Sequence, residues 1–208
     1  MELSQKRKMV IDFYNIYIEG FIIGDLKILQ SIKPDPNNGL NGCTIPTAMT
    51  VISCIELLGF LLNKGGETGK SEKNLSYFFN FDSGSLLPDY YLSQNILDKI
   101  LNYRHGMMHH FFPKFKGQYA GICKNDQDSS LFILHLIDGV EQESLNVSVL
   151  TTDLIIAFEK LKVFFQNCID ESLFDTIIKG LKDIEYYIPK SSSNKFCTTI
   201  NPGTPKNK

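Results

Sequence analysis

Residues 45–62 carry a single charged side chain, Glu56, in a run that ends Leu57-Leu-Gly-Phe-Leu-Leu62. A segment this apolar is buried on all sides or lies in a membrane. It only just reaches the roughly 18 residues a span requires, and it contains Pro46, Thr47, Thr50, Ser53 and Glu56 with no flanking Trp or Tyr belt. These features predict a central core helix, with no membrane partner. A carboxylate in the middle of such a helix needs a cation, since an unpaired buried charge is prohibitively costly.

The rest of the chain can supply a core around that helix. It has 208 residues, 43% hydrophobic and 21% charged, a balance that excludes a disordered protein. The expectation is one helical domain over 1–189, with a β-hairpin near 131–150, and a disordered tail over 190–208. Lys and Arg number 21 against 23 Asp and Glu, for a net charge of −2. No global positive field gathers nucleic acid, so any polyanion must be met locally. Cys43, Cys54, Cys123, Cys168 and Cys197 form no CxxC pair, and the charged N-terminus has no apolar signal core. A cytoplasmic protein with reduced thiols is expected.

Helical spacing through Met9, Phe13, Ile16 and Tyr17 predicts a helix over residues 4–31, broken near Gly20 or Gly24. Thr44 is the expected N-cap of the apolar helix, which runs to about Asn63. Residues 74–81 are ambiguous. A helix is expected from Asp89 to about His110, ended by Pro113. Leu131-Phe-Ile-Leu-His-Leu-Ile and Leu145-Asn-Val-Ser-Val-Leu read as the two strands of a hairpin, separated by a turn region that begins at Asp138-Gly139. Thr152 is expected to cap a helix to about Cys168, and Ser172 with Asp175 to form the capping box of the last helix. The fold class is therefore mainly α, an up-and-down helical bundle with a β-hairpin inserted before the last two helices.

Two segments carry candidate chemistry. Lys64-Gly-Gly-Glu-Thr-Gly-Lys-Ser71 ends like a phosphate-binding loop, but Lys64 stands where that motif needs glycine, and a helix rather than a strand precedes it. A solvated loop is the expectation. The second segment, Tyr103-Arg-His-Gly-Met-Met-His-His110, places three of the four histidines beside Arg104, which with Arg7 completes the chain's arginines. At about 100° per residue, Arg104 falls on the apolar arc of Leu97, Leu101 and Met108, while Asp98, Asn102, His105 and His109 form a bordering polar stripe. An inward-facing arginine must be paired, line a cleft or meet another subunit. Glu56 is the expected pairing carboxylate. Gly106 and Pro113 are expected to kink the helix and bring His109 or His110 toward Arg104.

Arg104-His-Gly-Met-Met-His109 resembles the motif of the HEPN superfamily (higher eukaryotes and prokaryotes nucleotide-binding), an arginine, a polar residue and a histidine four to six residues on. His105 suits the polar position, and His110 also satisfies the spacing. The resemblance implies a HEPN-like metal-independent endoribonuclease of toxin or defence type, acting as a homodimer on an RNA substrate and controlled by an antitoxin or nucleotidyltransferase-like partner. It implies no metal and no cofactor. Arg104, His105 and His109 are then the catalytic residues: one histidine takes the proton of a ribose 2′-hydroxyl and the guanidinium stabilises the developing phosphorane charge. Glu56, Asn102 and His110 support them, and Lys114, Lys116 and Lys124 hold RNA. The alternatives are a non-catalytic helical module that binds a nucleotide, RNA or protein and keeps Arg104 as a fold element, and a His105–His109 pair ligating Zn²⁺ at i, i+4 spacing.

Overall fold

The structure, a computed structural model, describes residues 1–37, 42–63, 70–110, 114–115, 118–137 and 139–184. It is mainly helical with a small three-stranded sheet. At the N-terminus, α1 (Leu3–Phe13), a π-helical stretch (Tyr14–Ile23) and α2 (Gly24–Ser31) follow one another directly. The expected break at Gly20 or Gly24 is instead a widening of the helix. Buried positions step from Val10 to Tyr14 to Ile18 by fours, then to Ile23 by five. A five-residue step overshoots an α-helical turn, and the wider π repeat keeps Ile23 and then Leu26 on the core face. Lys6 reaches from α1 to Glu171 at 2.8 Å and Asp175 at 2.6 Å, and these carboxylates, Asp175 foremost, raise the pKa of its ammonium.

The apolar run forms α3 (Thr44–Leu62), which packs against α2 and four helices described below. Its mean hydropathy of 1.9 would suffice for a membrane span, yet 61% of the segment is buried inside the protein, with Val51, Ile52, Ile55, Leu58 and Leu62 in the core. Thr44 is its first helical residue, not its N-cap. Cys43 holds the cap position with a left-handed backbone (φ 49°), and the Thr47 hydroxyl donates back to the Cys43 carbonyl at 2.6 Å. The ambiguous segment is helical: α4 (Ser71–Phe79) crosses α3 so closely that a Cβ on Gly59 would lie 1.8 Å from the Asn74 carbonyl oxygen.

Asp89 does not open the following helix. Asp89–Leu92 is a 3₁₀ turn, and α5 spans Gln94–His110. Two short strands, β1 (Lys114–Phe115) and β2 (Gln118–Tyr119), pair antiparallel. The hairpin is formed by β4 (Phe132–Ile137) and β5 (Val140–Asn146), whose second strand begins five residues before the expected Leu145, and it belongs to a three-stranded sheet of order β3-β5-β4. The added strand, β3 (Gly121–Cys123), runs parallel to β5 and pairs Gly121 with Ser144. Three residues offer too little alternation to be read as a strand.

The second strand also ends earlier than expected, because α6 (Val147–Asn167) begins five residues before Thr152. Asn146 decides this. Its fully buried side-chain oxygen accepts from the backbone N–H of Ser148 at 3.2 Å and of Asn125 at 3.1 Å, while its amide donates to the carbonyls of Asn125 at 2.9 Å and Asp128 at 3.0 Å. One side chain thus caps α6 and ties down the preceding loop. Asn146→Ala strands those partners and is expected to lower the unfolding free energy by about 2 kcal/mol or more, measured by urea denaturation. The last helix, α7 (Glu171–Asp183), is capped by Asp170, which accepts from the N–H of Ser172 and Leu173, in place of the expected Ser172 box. The proposed tail, 190–208, lies outside the described residues.

Candidate functional site

Helix α5 is held by Leu97, Ile100, Leu101, Tyr103 and Met107, all buried. One flank lies under the sheet. The Tyr103 hydroxyl donates to the Glu143 carbonyl at 3.1 Å, Lys99 pairs with the Glu143 carboxylate, and the Lys99 ammonium sits 4.7 Å from the centre of the Phe132 ring. Burial, reinforced by Glu143, pushes the Tyr103 phenol well above its ordinary pKa, so it serves as a donor and not as a base.

The adjoining flank carries Arg104. Its Nε donates to Glu56 Oε2 at 3.1 Å and its Nη2 to Glu56 Oε1 at 3.3 Å, with the two side chains only 21% and 19% exposed. The carboxylate in the apolar helix has the cation it required. Ser71, at the start of α4, donates its hydroxyl to Glu56 Oε1 at 2.6 Å, so α3, α4 and α5 meet at one carboxylate. Sequence reasoning missed Ser71. Its signal was a serine opening a helix, and the glycine-lysine-serine likeness drew attention to phosphate instead. The helical context of that likeness stands, since α3 precedes it, while residues 64–69 lie outside the described part.

Carboxylate pairing along the Nε side of the guanidinium has a further effect. The Nη1 nitrogen has no hydrogen-bond partner among the described residues, and its two N–H groups remain for an anion. The structure therefore brings Arg104 and Glu56 together and, among the described residues, leaves Nη1 without a hydrogen-bond partner.

His105 and His109 occupy a different sector. Both are exposed, and their rings stack with centroids 6.2 Å apart and planes 9° from parallel. The helix continues through the buried Gly106 to His110, and Pro113, the other residue of the expected kink, lies outside the described residues. On an uninterrupted helix His105 stands about 100° and His109 about 140° round from Arg104. Arginine and histidine of one chain diverge. Asn102 is half-buried on the same ridge as the histidines, and the side chain of His110 lies outside the described residues.

Among the proposed RNA-binding lysines, Lys116 and the side chain of Lys114 also lie outside the described residues. Lys124 is committed elsewhere: its ammonium donates to the carbonyls of Leu29 at 2.5 Å and Ile32 at 3.1 Å, closing the C-terminal end of α2. Burial lowers its pKa, and the charge of Lys33 adds to that. The structure thus places Lys124 at the C-terminal end of α2, with two of its three donors on backbone carbonyls.

A groove of about 390 Å³ between α4 and the first turns of α5 includes Tyr77, Gln94 and Leu97 but neither Arg104 nor a histidine. Among the described residues no group of three or more His, Cys, Asp or Glu side chains is placed to hold a metal ion. No family model, curated protein or solved structure matches the chain. The functional reading therefore rests on the side-chain geometry and on the motif.

Proposed function

We propose that the Arg104 face of α5 is the anion-binding half of a HEPN-like, metal-independent ribonuclease site, completed by the histidine ridge of a second copy. The observation that supports it best is the orientation of the guanidinium: Glu56 grips Nε and Nη2, and Nη1 is left to donate. An arginine held by a carboxylate is positioned before its ligand arrives, which is what transition-state charge stabilisation requires. Because Arg104 and His109 point to different sides of one helix, a phosphate between them is shared by two chains. The homodimer is thus part of the chemistry.

The reaction follows from those two groups. The imidazole of His109, or His105 beside it, takes the proton of a ribose 2′-hydroxyl; O2′ bonds to phosphorus; the P–O5′ bond breaks and the leaving oxygen is protonated. Arg104 carries the charge building on the non-bridging oxygens. The expected products are a 2′,3′-cyclic phosphate and a 5′-hydroxyl, formed with EDTA present. Incubating the purified protein with a mixed RNA panel and analysing the new ends tests this, and intact RNA across the panel overturns it. A role in toxicity or defence, with an antitoxin or nucleotidyltransferase-like partner, belongs to the same proposal.

The Glu56–Arg104–Ser71 network favours a second reading, a helical binding module for a nucleotide, RNA or protein in which Arg104 is structural. On that reading Arg104→Ala leaves Glu56 without its cation and lowers stability by about 2 kcal/mol, discounted from a fully buried pair because both side chains are partly solvated. Thermal melting of Arg104→Ala beside Arg104→Lys measures the structural share. Lysine restores the charge but not the fork, so recovered stability without recovered cleavage separates the two roles.

A further inference from the structure

We infer that the groove between α4 and α5 is a subsite for a nucleobase, and that this base belongs to the nucleotide next to the phosphate cleaved at Arg104. The RNA strand rests on the functional reading above, whereas the nucleobase does not. At about 390 Å³ the groove has the size of a small-ligand site. Its floor is apolar: Leu97 is buried, and the half-buried Tyr77 ring is braced by Phe81, with centroids 6.3 Å apart. An aromatic side chain of this kind is what an unstacked base packs on. The groove also lies in line with the guanidinium. Leu97 precedes Arg104 by seven residues, which puts the two about 20° apart round α5 and about 10 Å apart along it. On the facing helix, Ser71 reaches Glu56, which holds Arg104, and the next two residues, Glu72 and Lys73, line the groove.

The polar lining selects among bases. Asn80 Nδ2 donates to the Ser76 carbonyl at 2.8 Å and Gln94 Nε2 to Asp98 Oδ1 at 2.7 Å, which fixes each amide by its nitrogen and leaves its oxygen to accept. Glu72 adds a carboxylate, so acceptors predominate. Guanine meets them with the N–H groups of N1 and N2 side by side on its Watson–Crick edge, a match for a carboxylate or for two amide oxygens. Uracil offers one N–H between two carbonyl oxygens, which acceptors repel. Adenine and cytosine, with one amino group each, fall between. Lys73 stands beside Glu72, so the two charges of the lining cancel and the groove fits a neutral base better than a phosphate. The ammonium on the rim serves the sugar-phosphate backbone of the same strand.

Titrating the full chain with guanosine 5′-monophosphate and with uridine 5′-monophosphate in a calorimeter tests the subsite. Wild type is expected to bind the guanine nucleotide saturably and about 5-fold or more tightly than the uracil one, and that preference is expected to fall about 5-fold in Glu72→Gln and in Gln94→Ala. Both side chains are exposed and both replacements favour helix, so unchanged far-UV circular dichroism is expected of both variants. No saturable binding of the guanine nucleotide, equal affinity for the two nucleotides, or equal binding by wild type and both variants overturns the subsite. Cleavage of a mixed RNA is expected at sites with guanine beside the cut, a bias that the same two substitutions reduce. Cuts spread evenly over the four bases by a protein that binds the guanine nucleotide overturn the RNA assignment and make the ligand a free nucleotide. Guanine-nucleotide binding by a chain that never cleaves RNA overturns the functional reading and leaves the subsite standing.

Discussion

Arg104→Ala and His109→Ala homodimers are each expected to lose RNA cleavage by about 10²–10³-fold or more, and co-expressed chains carrying one substitution apiece recover about a quarter of wild-type activity. The recovery follows from the angle between the two side chains. If each site takes its arginine from one chain and its histidine from the other, a mixed dimer holds one intact site and one doubly deficient site. Half the dimers in a random mixture are mixed, which sets the recovered fraction. A site built from one chain's own arginine and histidine regains nothing on mixing. Cleavage assays on separately tagged, co-purified chains read the difference, and no recovery from two folded, dimeric variants refutes the shared site.

Gly59→Ala is expected to cost more than about 3 kcal/mol of unfolding free energy, at the upper end for overpacking, and to prevent accumulation of folded protein if the native margin is small. The new methyl would stand 1.8 Å from a backbone oxygen of Asn74, an atom that no side-chain rotation can withdraw. Either α4 moves off α3, or Asn74 loses its place. Ser71 lies one turn before Asn74 on α4, so the displacement also draws its hydroxyl from Glu56. Solvent denaturation gives the energy. A variant as stable as wild type would show that α4 does not approach α3 at this point.

Much of the site was legible before the fold was known. Glu56 stood out as one carboxylate in an apolar helix, Arg104 as one arginine on an apolar stripe, and the cost of burying either alone made each the other's expected partner. Their bidentate pairing bears this out. Ser71 was not legible, because a serine opening a short helix has no local mark of the chain it will meet. The capping contacts of Lys124 were not legible for the same reason: a lysine in a loop looks like any other until the end of α2 is placed against it. The early start of α6 was hidden too, since Val147-Ser-Val-Leu150 has β-branched residues that suit a strand, and only the four hydrogen bonds of Asn146 turn the chain into a helix there.

By itself the amino-acid sequence determined the helical character of the chain, the burial of residues 45–62 and the charge pair that burial demands. These follow from composition, 3.6-residue periodicity and the energy of an unpaired charge, which act within one helix or between two types of side chain. Tertiary structure alone decided which way the guanidinium faces and that α5 continues past Gly106, so that the polar stripe given by helical spacing keeps His105 and His109 on an exposed ridge. Those outcomes depend on where separate helices meet and on whether one helix runs on past a glycine, and neither is recorded in a local pattern of residues. The phase of the helix separates Arg104 from its histidines within a chain, which is why the proposed site takes its imidazole from a second copy.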